Sequence, residues 1–235
     1  DHGKIDEVNA LYNLDDLPGR IGLGHIRWAT HGAPMQVNAH PHTDCSGQVA
    51  VVHNGVIENF LQLKEQLIEE GHIFRSDTDT EVIPHLIEKY YKDSLEKAVA
   101  RAIVDLAGSY AFAAIHAGRN DLVVARKESP LILGIGDKEH FVASDVPAVL
   151  DYTDRVVYLE DGDIGVITAD KVRYISNGKE IERAEHRIPW SMAEAQKAGY
   201  EHFMIKEIHE QPKVIRETYK GYISAIEPVT NLCIE

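Results

Sequence analysis

Four histidines, an arginine, a tryptophan and an asparagine lie within HIRWATHGAPMQVNAHPH, residues 25–42. Three interpretations of this stretch compete: a metal site built from the histidines, a structural loop, or one wall of a pocket for a small polar substrate. His40 and His42 are two residues apart, so an extended chain would place both on one side. Neither an H-E-x-x-H motif nor a cysteine pair accompanies them, and such motifs make a zinc site specific. We therefore predict no metal, and we expect the NAHPH histidines to form structural hydrogen bonds.

A second group of polar residues is HNG, residues 53–55. An asparagine side-chain amide beside a glycine backbone N–H offers two donors that can converge on a developing oxyanion, as acyl-transfer chemistry requires. A plain hairpin turn is the alternative, because Asn-Gly is a common turn signal. The residues that follow, VIENF, lead into a predicted helix and not into a returning strand, which favours a functional role for Asn54 and Gly55.

A third group, SDTDTE at residues 76–81, precedes another predicted helix. We expect Thr78, Asp79 or Thr80 to cap that helix. One cap does not need five candidates, so the carboxylate of Asp79 could bind a substrate ammonium. Arg27, whose planar fork matches a carboxylate, could bind the other end of the same molecule. The alternative for Arg27 is a surface ion pair. Together the two residues describe an amino-acid pocket.

The elements that must position these residues follow from the hydrophobic pattern. Residues 58–107 predict three amphipathic helices: one ending at a left-handed Gly71, one with Pro84 in its first turn, and one from Ser94 to Gly108. GQVAVVH predicts a strand buried on both faces that ends at Asn54-Gly55. Seven short segments predict antiparallel meanders: SYAFAAIHA, DLVVARK, LILGIG, HFVASD, RVVYLED, DIGVITA and KVRYISN. We infer an α+β fold with helices covering sheets in layers.

Composition limits the partners and the location. The chain carries 38 acidic and 24 basic side chains, a formal net charge of −14, which repels phosphate backbones and acidic membrane surfaces. No apolar run approaches the roughly 20 residues that span a bilayer, and the sequence starts without a signal-peptide pattern. Cys45 and Cys233 have no paired spacing, so we interpret both as ordinary thiols. We expect a cytoplasmic protein with no nucleic-acid or membrane partner, no metal and no cofactor.

The motifs GHIRWATHG, VNAHPH, VVHNGVIEN and SDTDTEVIPHLIE resemble the glutaminase domain of class II glutamine amidotransferases, whose nucleophile is N-terminal. GSYAFAAI, ARKESPLILGIG, FVASD, YLEDGDI and FMIKEIHEQP extend the likeness to about residue 222. Within the family, the resemblance is to the branch that aminates a sugar phosphate. Glutamine phosphoribosylpyrophosphate amidotransferases share the arginine and Asn-Gly features but usually lack RWATHG and the TDTE run, and asparagine synthetases lack the NAHPH stretch.

The resemblance implies a four-layer αββα sandwich of the N-terminal-nucleophile hydrolase type, lacking its first segment. It implies that L-glutamine is hydrolysed to glutamate and ammonia, and that a sugar-phosphate isomerase domain of the same enzyme uses the ammonia. The glutaminase domain would occupy residues 1–200. Residues 201–235 would form a linker or docking helix, since the helical pattern of residues 193–223 is interrupted near Pro212. Family likeness also suggests a homodimer.

The resemblance further assigns the site residues. Arg27 would grip the glutamine α-carboxylate, and Asp79 would bind the α-ammonium. Trp28 would belong to a loop that closes over bound glutamine and shields the thioester from water. The residues implied in substrate binding are Arg27, Trp28, Thr30, His31 and Asp79, and those implied in the oxyanion hole are Asn54 and Gly55.

The sequence departs from the family pattern at its start. The family nucleophile is an N-terminal cysteine whose own α-amine, with a pKa of about 7.7–8.0, acts as the base. This sequence begins with Asp1 and also lacks the YRGYDS motif that follows the cysteine. We favour a leading segment that is omitted here over a polypeptide that truly starts at Asp1 and is inactive. The alternative function is then a glutamine-binding or docking module that performs no chemistry.

Overall fold

The structure is a computed structural model that describes residues 3–29, 31–189 and 199–219. The chain divides into two compact units, residues 1–188 and residues 189–235. The helices described in the first unit are α1 (Ile5–Tyr12), α2 (Phe60–Glu69), α3 (Val82–Tyr90) and α4 (Leu95–Asp105). Its strands are β1 (His42–Thr43), β2 (Val49–Ile57), β3 (Gly108–His116), β4 (Leu122–Lys127), β5 (Ile132–Ile135), β6 (His140–Ala143), β7 (Arg155–Tyr158), β8 (Asp163–Ile167), β9 (Val172–Ser176), β10 (Lys179–Ile181) and β11 (Glu185–Arg187).

These strands form two antiparallel sheets, which confirms the mixed α+β class. The larger sheet has the order β1-β2-β3-β4-β8-β9-β10, and the smaller one has the order β11-β7-β5-β6. All seven strand segments expected after residue 108 are present. They do not form one continuous meander, because β5, β6 and β7 leave the larger sheet and pair with one another and with β11. The sequence analysis did not predict the short strands β10 and β11.

The larger sheet is buried on both faces because alternate residues of its strands feed two different cores. Val51, Phe112 and Val123 belong to a core that includes residues of α2, α3 and α4. Ala113 and Val124, one residue along in β3 and β4, belong to a second core that includes residues of β5 and β7. The first unit is therefore layered as helices, large sheet and small sheet. The prediction that β2 is buried on both faces holds in part: Val49, Val51 and His53 are buried, whereas Val52, which packs on the second core, is half-buried.

The helices begin and end close to the expected positions. Gly71 follows α2 with a φ of 99°, the left-handed conformation expected of a glycine after a helix. Pro84 is the third residue of α3, where its missing N–H removes no intrahelical hydrogen bond. The Ser94 side chain caps α4 by accepting a hydrogen bond from the Lys97 N–H at 3.3 Å. Local signals in the sequence were sufficient for these three helices.

The structure corrects two local predictions in this unit. Strand β2 does not end at Asn54-Gly55 but continues to Ile57, because β3 pairs with it along its whole length. No side chain caps α3. The expected caps are engaged elsewhere: the Asp79 carboxylate accepts the Ile57 N–H at 2.8 Å, and the Thr80 hydroxyl contacts His53 Nδ1 at 2.9 Å.

The second unit contains helix α5 (Phe203–Tyr219) in its described part. The prediction that this helix is broken near Pro212 is wrong, since α5 continues through Pro212. A proline inside a helix lacks one backbone hydrogen bond, and α5 remains helical on both sides of Pro212. Residues 193–198 and 220–223, which the helical pattern also covered, lie outside the described residues. Within the described part of the chain, no helix is both long enough and apolar enough to cross a membrane.

Candidate active site

The loop of residues 25–33 is organised around the side chain of Arg27. Its Nη2 group donates to the backbone carbonyls of His31 and of Gly32, the latter at 3.0 Å, and its Nη1 group donates to that of Ala33 at 3.4 Å. Arg27 is half-buried and pairs with no carboxylate among the described residues. Carbonyl groups solvate a guanidinium but do not neutralise it, so this charge is available to an anionic ligand.

Asn54 and Gly55 lie within β2 near its end. The Asn54 Oδ1 atom contacts His25 Nε2 at 2.9 Å, so the ring N–H donates and the carbonyl oxygen accepts. The Asn54 Nδ2 group, a donor of two hydrogen atoms, has no hydrogen-bond partner among the described residues. Gly55 has a φ of 128°, and a Cβ there would lie 2.2 Å from the Ser109 backbone oxygen. Only glycine fits at this position.

Asp79 is a buried carboxylate, with 4% of its surface exposed. One oxygen accepts the Ile57 N–H, which fixes the residue to the end of β2. The other oxygen lies 3.9 Å from Nδ1 of His31. No lysine or arginine in the described part of the chain pairs with Asp79. An uncompensated carboxylate is costly to bury, and a cationic ligand would remove that cost.

His31 stands between the two charged residues, because its carbonyl accepts from Arg27 and its ring lies near Asp79. The ring is packed edge-on against Phe60 at 5.2 Å between centroids. Its Nδ1 atom is buried without a hydrogen-bond partner. Trp28 points to solvent, with 89% of its surface exposed. Thr30, the remaining residue assigned to substrate binding, lies outside the described residues.

A network of buried and half-buried histidines lies next to the candidate site, and sequence reasoning did not predict its extent. The His40 ring stacks on His25 with centroids 4.0 Å apart, and its Nδ1 accepts the His53 N–H at 3.2 Å. This matches the structural role expected for the NAHPH histidines. His42 Nε2 contacts the Thr78 hydroxyl at 3.0 Å. The spacing of His40 and His42 and the apolar pattern of β2 mark these histidines in the sequence. Neither pattern shows which side chains contact one another.

Three histidines of this network, His40, His42 and His53, are held neutral. Burial, together with the neighbouring His25, lowers the pKa of His40 to about 2. Burial also lowers the pKa of His42 and of His53 to about 4, although Glu81 and Asp79 respectively oppose the shift. A neutral imidazole can accept one hydrogen bond and donate another. His40, His42 and His53 therefore add no positive charge beside the oxyanion-hole candidates.

Glu81 is a further buried residue that sequence reasoning did not select. Its carboxylate accepts the Arg75 N–H at 2.8 Å, and the Ser76 N–H and hydroxyl at 2.7 Å each. Burial raises the pKa of Glu81, but hydrogen bonds from His85, Ser76 and the two backbone groups outweigh burial and hold it at about 2. Glu81 thus fixes the turn that carries Asp79.

Comparisons with known proteins show the family to which the chain belongs. A family model described as a glutamine amidotransferase domain matches residues 25–151. The chain is 53% identical to a glutamine–fructose-6-phosphate aminotransferase (isomerizing) from Methanothermobacter thermautotrophicus, over 99% of this chain and 41% of that protein. It is 49% identical to the protein of the same name from Thermococcus kodakarensis, over 97% of this chain and 38% of that protein. The chain thus spans about 40% of the length of these relatives.

Solved structures extend the comparison. A glutamine phosphoribosylpyrophosphate amidotransferase from B. subtilis matches with a TM-score of 0.54 and 29% identity, over 65% of this chain and 34% of that one. A structure described as the allosteric regulatory enzyme of purine biosynthesis matches with the same TM-score and 30% identity. The matched family model covers more than half of the chain and contains the site residues 27, 31, 54, 55 and 79. The chain therefore belongs to the glutamine amidotransferase domain family, as the resemblance of its motifs indicated.

Proposed function

We propose that this chain is the glutaminase part of a glutamine–fructose-6-phosphate aminotransferase, which hydrolyses L-glutamine to glutamate and ammonia. The observation that carries the proposal is a pair of opposite charges, Arg27 and Asp79, which are both adjacent to His31 and have no ionic partner in the described part of the chain. An α-amino acid carries the complementary pair of charges on one carbon atom. Its carboxylate would bind Arg27, and its ammonium would bind Asp79.

The reaction would take place where the glutamine side chain reaches the end of β2. Attack on the side-chain amide carbon places negative charge on its oxygen, and the Asn54 Nδ2 group with the Gly55 backbone N–H would stabilise that oxyanion. The hydrogen bond from His25 to Asn54 Oδ1 turns the donor end of the amide away from His25. In the family this attack is made by an N-terminal cysteine, and we assign none of residues 1–235 as the nucleophile.

The remaining features of the proposal rest on the relatives. Ammonia would be consumed by a sugar-phosphate isomerase domain of the same enzyme, which would convert fructose 6-phosphate into glucosamine 6-phosphate. The complete glutaminase domain would be a four-layer αββα sandwich over residues 1–200, followed by a linker or docking helix at residues 201–235, in a homodimer. The proposal is supported by the names that the relatives carry and by the layered helices and sheets of the described residues.

A calorimetric titration with L-glutamine tests the pocket. We expect binding by the unaltered chain, and its loss in Arg27→Ala and in Asp79→Asn, because each substitution removes one of the two charges. Arg75→Ala and Asp77→Asn are matched controls, since both side chains are exposed and lie close to Asp79 in the sequence. Unchanged affinity in Arg27→Ala and Asp79→Asn would reject the pocket assignment.

Release of glutamate separates an enzyme from a binding module. In the protein with its native N-terminus, glutamine should yield glutamate, and Asn54→Ala should slow this step by roughly a hundredfold or more if Asn54 lines the oxyanion hole. Binding without hydrolysis would favour the alternative, a glutamine-binding or docking module. Hydrolysis without amination of fructose 6-phosphate would favour another class II amidotransferase.

A further inference from the structure

Outside the candidate active site, four side chains from three parts of the chain converge on one point. Cys45 lies in the turn between β1 and β2, His72 follows α2, and His85 and Glu88 project from α3. The Cys45 Sγ, the two histidine nitrogens and a Glu88 oxygen all lie within 4.8 Å of one another. Sequence reasoning predicted no metal and interpreted Cys45 as an ordinary thiol. Separations of 27, 13 and 3 residues along the chain match no metal-binding motif, so only the fold brings these ligands together.

The distances between these atoms are those of ligands around one metal ion. Cys45 Sγ lies 3.6 Å from His72 Nδ1 and 3.5 Å from His85 Nδ1. The two Nδ1 atoms are 3.3 Å apart. Glu88 Oε2 lies 3.0 Å from His72 Nδ1 and 3.5 Å from His85 Nδ1. With Zn–S at about 2.3 Å and Zn–N at about 2.0–2.1 Å, a tetrahedron places sulfur about 3.6 Å from nitrogen and the nitrogens about 3.3 Å apart.

Hydrogen bonds among the four side chains cannot satisfy all of their polar atoms at once. His85 is buried, and its Nδ1 faces three heteroatoms at once, those of Cys45, His72 and Glu88. A ring nitrogen has either one proton to donate or one lone pair to accept with, so it can serve one of the three. A cation at the centre of the four atoms would use the lone pair of every ligand at the same time.

The surroundings of the cluster also suit a metal site. The Ile73 N–H donates to the Cys45 sulfur at 3.4 Å, and the Cys45 N–H donates to Glu88 Oε2 at 3.2 Å. The other nitrogen of His85 faces a carboxylate oxygen of Glu81 at 3.7 Å, a distance slightly longer than a hydrogen bond. A histidine that ligates a metal usually presents its second nitrogen to a carboxylate or a carbonyl group, which orients the ring.

We propose that Cys45, His72, His85 and Glu88 form a zinc-binding site. A thiolate, two imidazoles and a carboxylate in a tetrahedron suit Zn²⁺, and four protein ligands leave no open position for substrate, which is the pattern of a structural site. Binding displaces the Cys45 thiol proton to solvent. The ion joins the β1–β2 turn and the end of α2 to α3, the helix that follows the segment carrying Asp79. This proposal does not depend on glutamine hydrolysis.

Metal content and metal titration of the purified chain test the site. After treatment with a chelator, we expect one equivalent of Zn²⁺ to bind per chain and to raise the melting temperature by several degrees, because a ligand that binds only the folded state stabilises it. Co²⁺ in place of Zn²⁺ should give a thiolate-to-cobalt charge-transfer band and the intense d–d bands of tetrahedral coordination.

Variants locate the binding. Cys45→Ser and His72→Gln should each lower zinc affinity by at least tenfold, and Cys45→Ser should abolish the charge-transfer band. Cys233→Ser, at the other cysteine of the sequence, and His186→Gln, at an exposed histidine, should leave the zinc affinity and the charge-transfer band unchanged. Circular dichroism establishes that each variant is folded. If Cys45→Ser does not fold, His72→Gln tests the site in its place. The proposal fails if no stoichiometric binding occurs, if Cys45→Ser binds zinc as tightly as the unaltered chain, or if Co²⁺ gives only octahedral spectra.

Discussion

The candidate active site has two sides that differ in how they are held. On the strand side, hydrogen bonds between buried groups join β2 to residues 76–81, Ile57 with Asp79 and His53 with Thr80, and a further one, Ser76 with Glu81, lies within that segment. On the loop side, residues 25–33, Arg27 bonds mainly to the carbonyl groups of its own loop, and Trp28 is 89% exposed. Both stretches were selected from the sequence for their polar residues, the loop side for its density of polar groups and the strand side for polar groups at the ends of predicted elements.

The difference teaches that polar density alone does not indicate rigidity. Buried hydrogen bonds are expensive to break because each leaves an unsatisfied group, so the strand side offers fixed positions for Asp79 and the oxyanion-hole candidates. The loop side is held by few contacts to the rest of the unit, the contact of His25 with Asn54 among them. Loops that close over a substrate are drawn from such weakly held segments. Each prediction below changes one side and asks whether the other responds.

The largest expected effect is the loss of stability at low pH caused by the histidines in and next to the strand side. His40, His42 and His53 are neutral in the fold with pKa values lowered to about 2, 4 and 4, so as the pH falls below about 6.5 the unfolded chain takes up protons before the folded one. The contribution of these neutral histidines to the free energy of unfolding is complete above pH 6.5. It is lost as the pH falls towards 4 for His42 and His53, and towards 2 for His40. We expect the free energy of unfolding to drop by a few kcal/mol between about pH 7 and 5.

Urea unfolding at a series of pH values measures this effect. His42→Gln should flatten the pH dependence between about pH 6.5 and 4, whereas His186→Gln, at an exposed position of β11, should not. An unfolding free energy that is constant down to pH 4 would show that the histidines of the strand side are charged or exposed, and would remove the distinction drawn between the two sides.

Alanine at two strained glycines gives a smaller contrast. At Gly55 the new Cβ would lie 2.2 Å from a backbone oxygen, whereas at Gly32 it would lie 2.7 Å from the side-chain amide of Asn38, which can shift only at the cost of its hydrogen bonds with Ala33 and Asp77. Both positions also carry a positive φ. We expect Gly55→Ala to destabilise the fold by about 2–5 kcal/mol and Gly32→Ala by about 1–2 kcal/mol. Chemical denaturation compares the two, and equal losses would contradict the assignment of a rigid strand side and an adaptable loop.

The smallest expected effect on stability is at Trp28. Because its side chain is exposed, Trp28→Phe should change the free energy of unfolding by less than about 0.5 kcal/mol. If the loop closes over glutamine, Trp28 leaves water, and its fluorescence should shift to shorter wavelength on addition of glutamine. The shift should be absent in Trp28→Phe, where only Trp190 remains. A shift of the same size in both proteins would assign the signal to Trp190 and leave the closing loop without support.

Much of the fold could be predicted because its signals are local. Period-2 and period-3.6 patterns located the seven later strands and helices α2 to α4, and Ser94 and Gly71 marked helix boundaries. The errors arose where a distant partner overrode a local signal. Asn54-Gly55 suggests the end of a strand, but pairing with β3 extends β2 to Ile57. Asp79 suggests a helix cap, but a backbone N–H of β2 takes its carboxylate.

The sequence by itself determined the chemistry that the protein contains: an arginine, a carboxylate, an Asn-Gly pair and a family whose motifs occur in the same order. Tertiary structure alone decided which of these groups meet and which stay without a charge partner. The pairing of Asp79 with Ile57, the histidine stack behind Asn54, and the convergence of Cys45 with His72, His85 and Glu88 join residues up to 43 positions apart along the chain. Side-chain type is encoded residue by residue, whereas proximity and burial arise only when sheets and helices pack. Proximity and burial in turn set the charge state of a side chain and whether it can coordinate a metal.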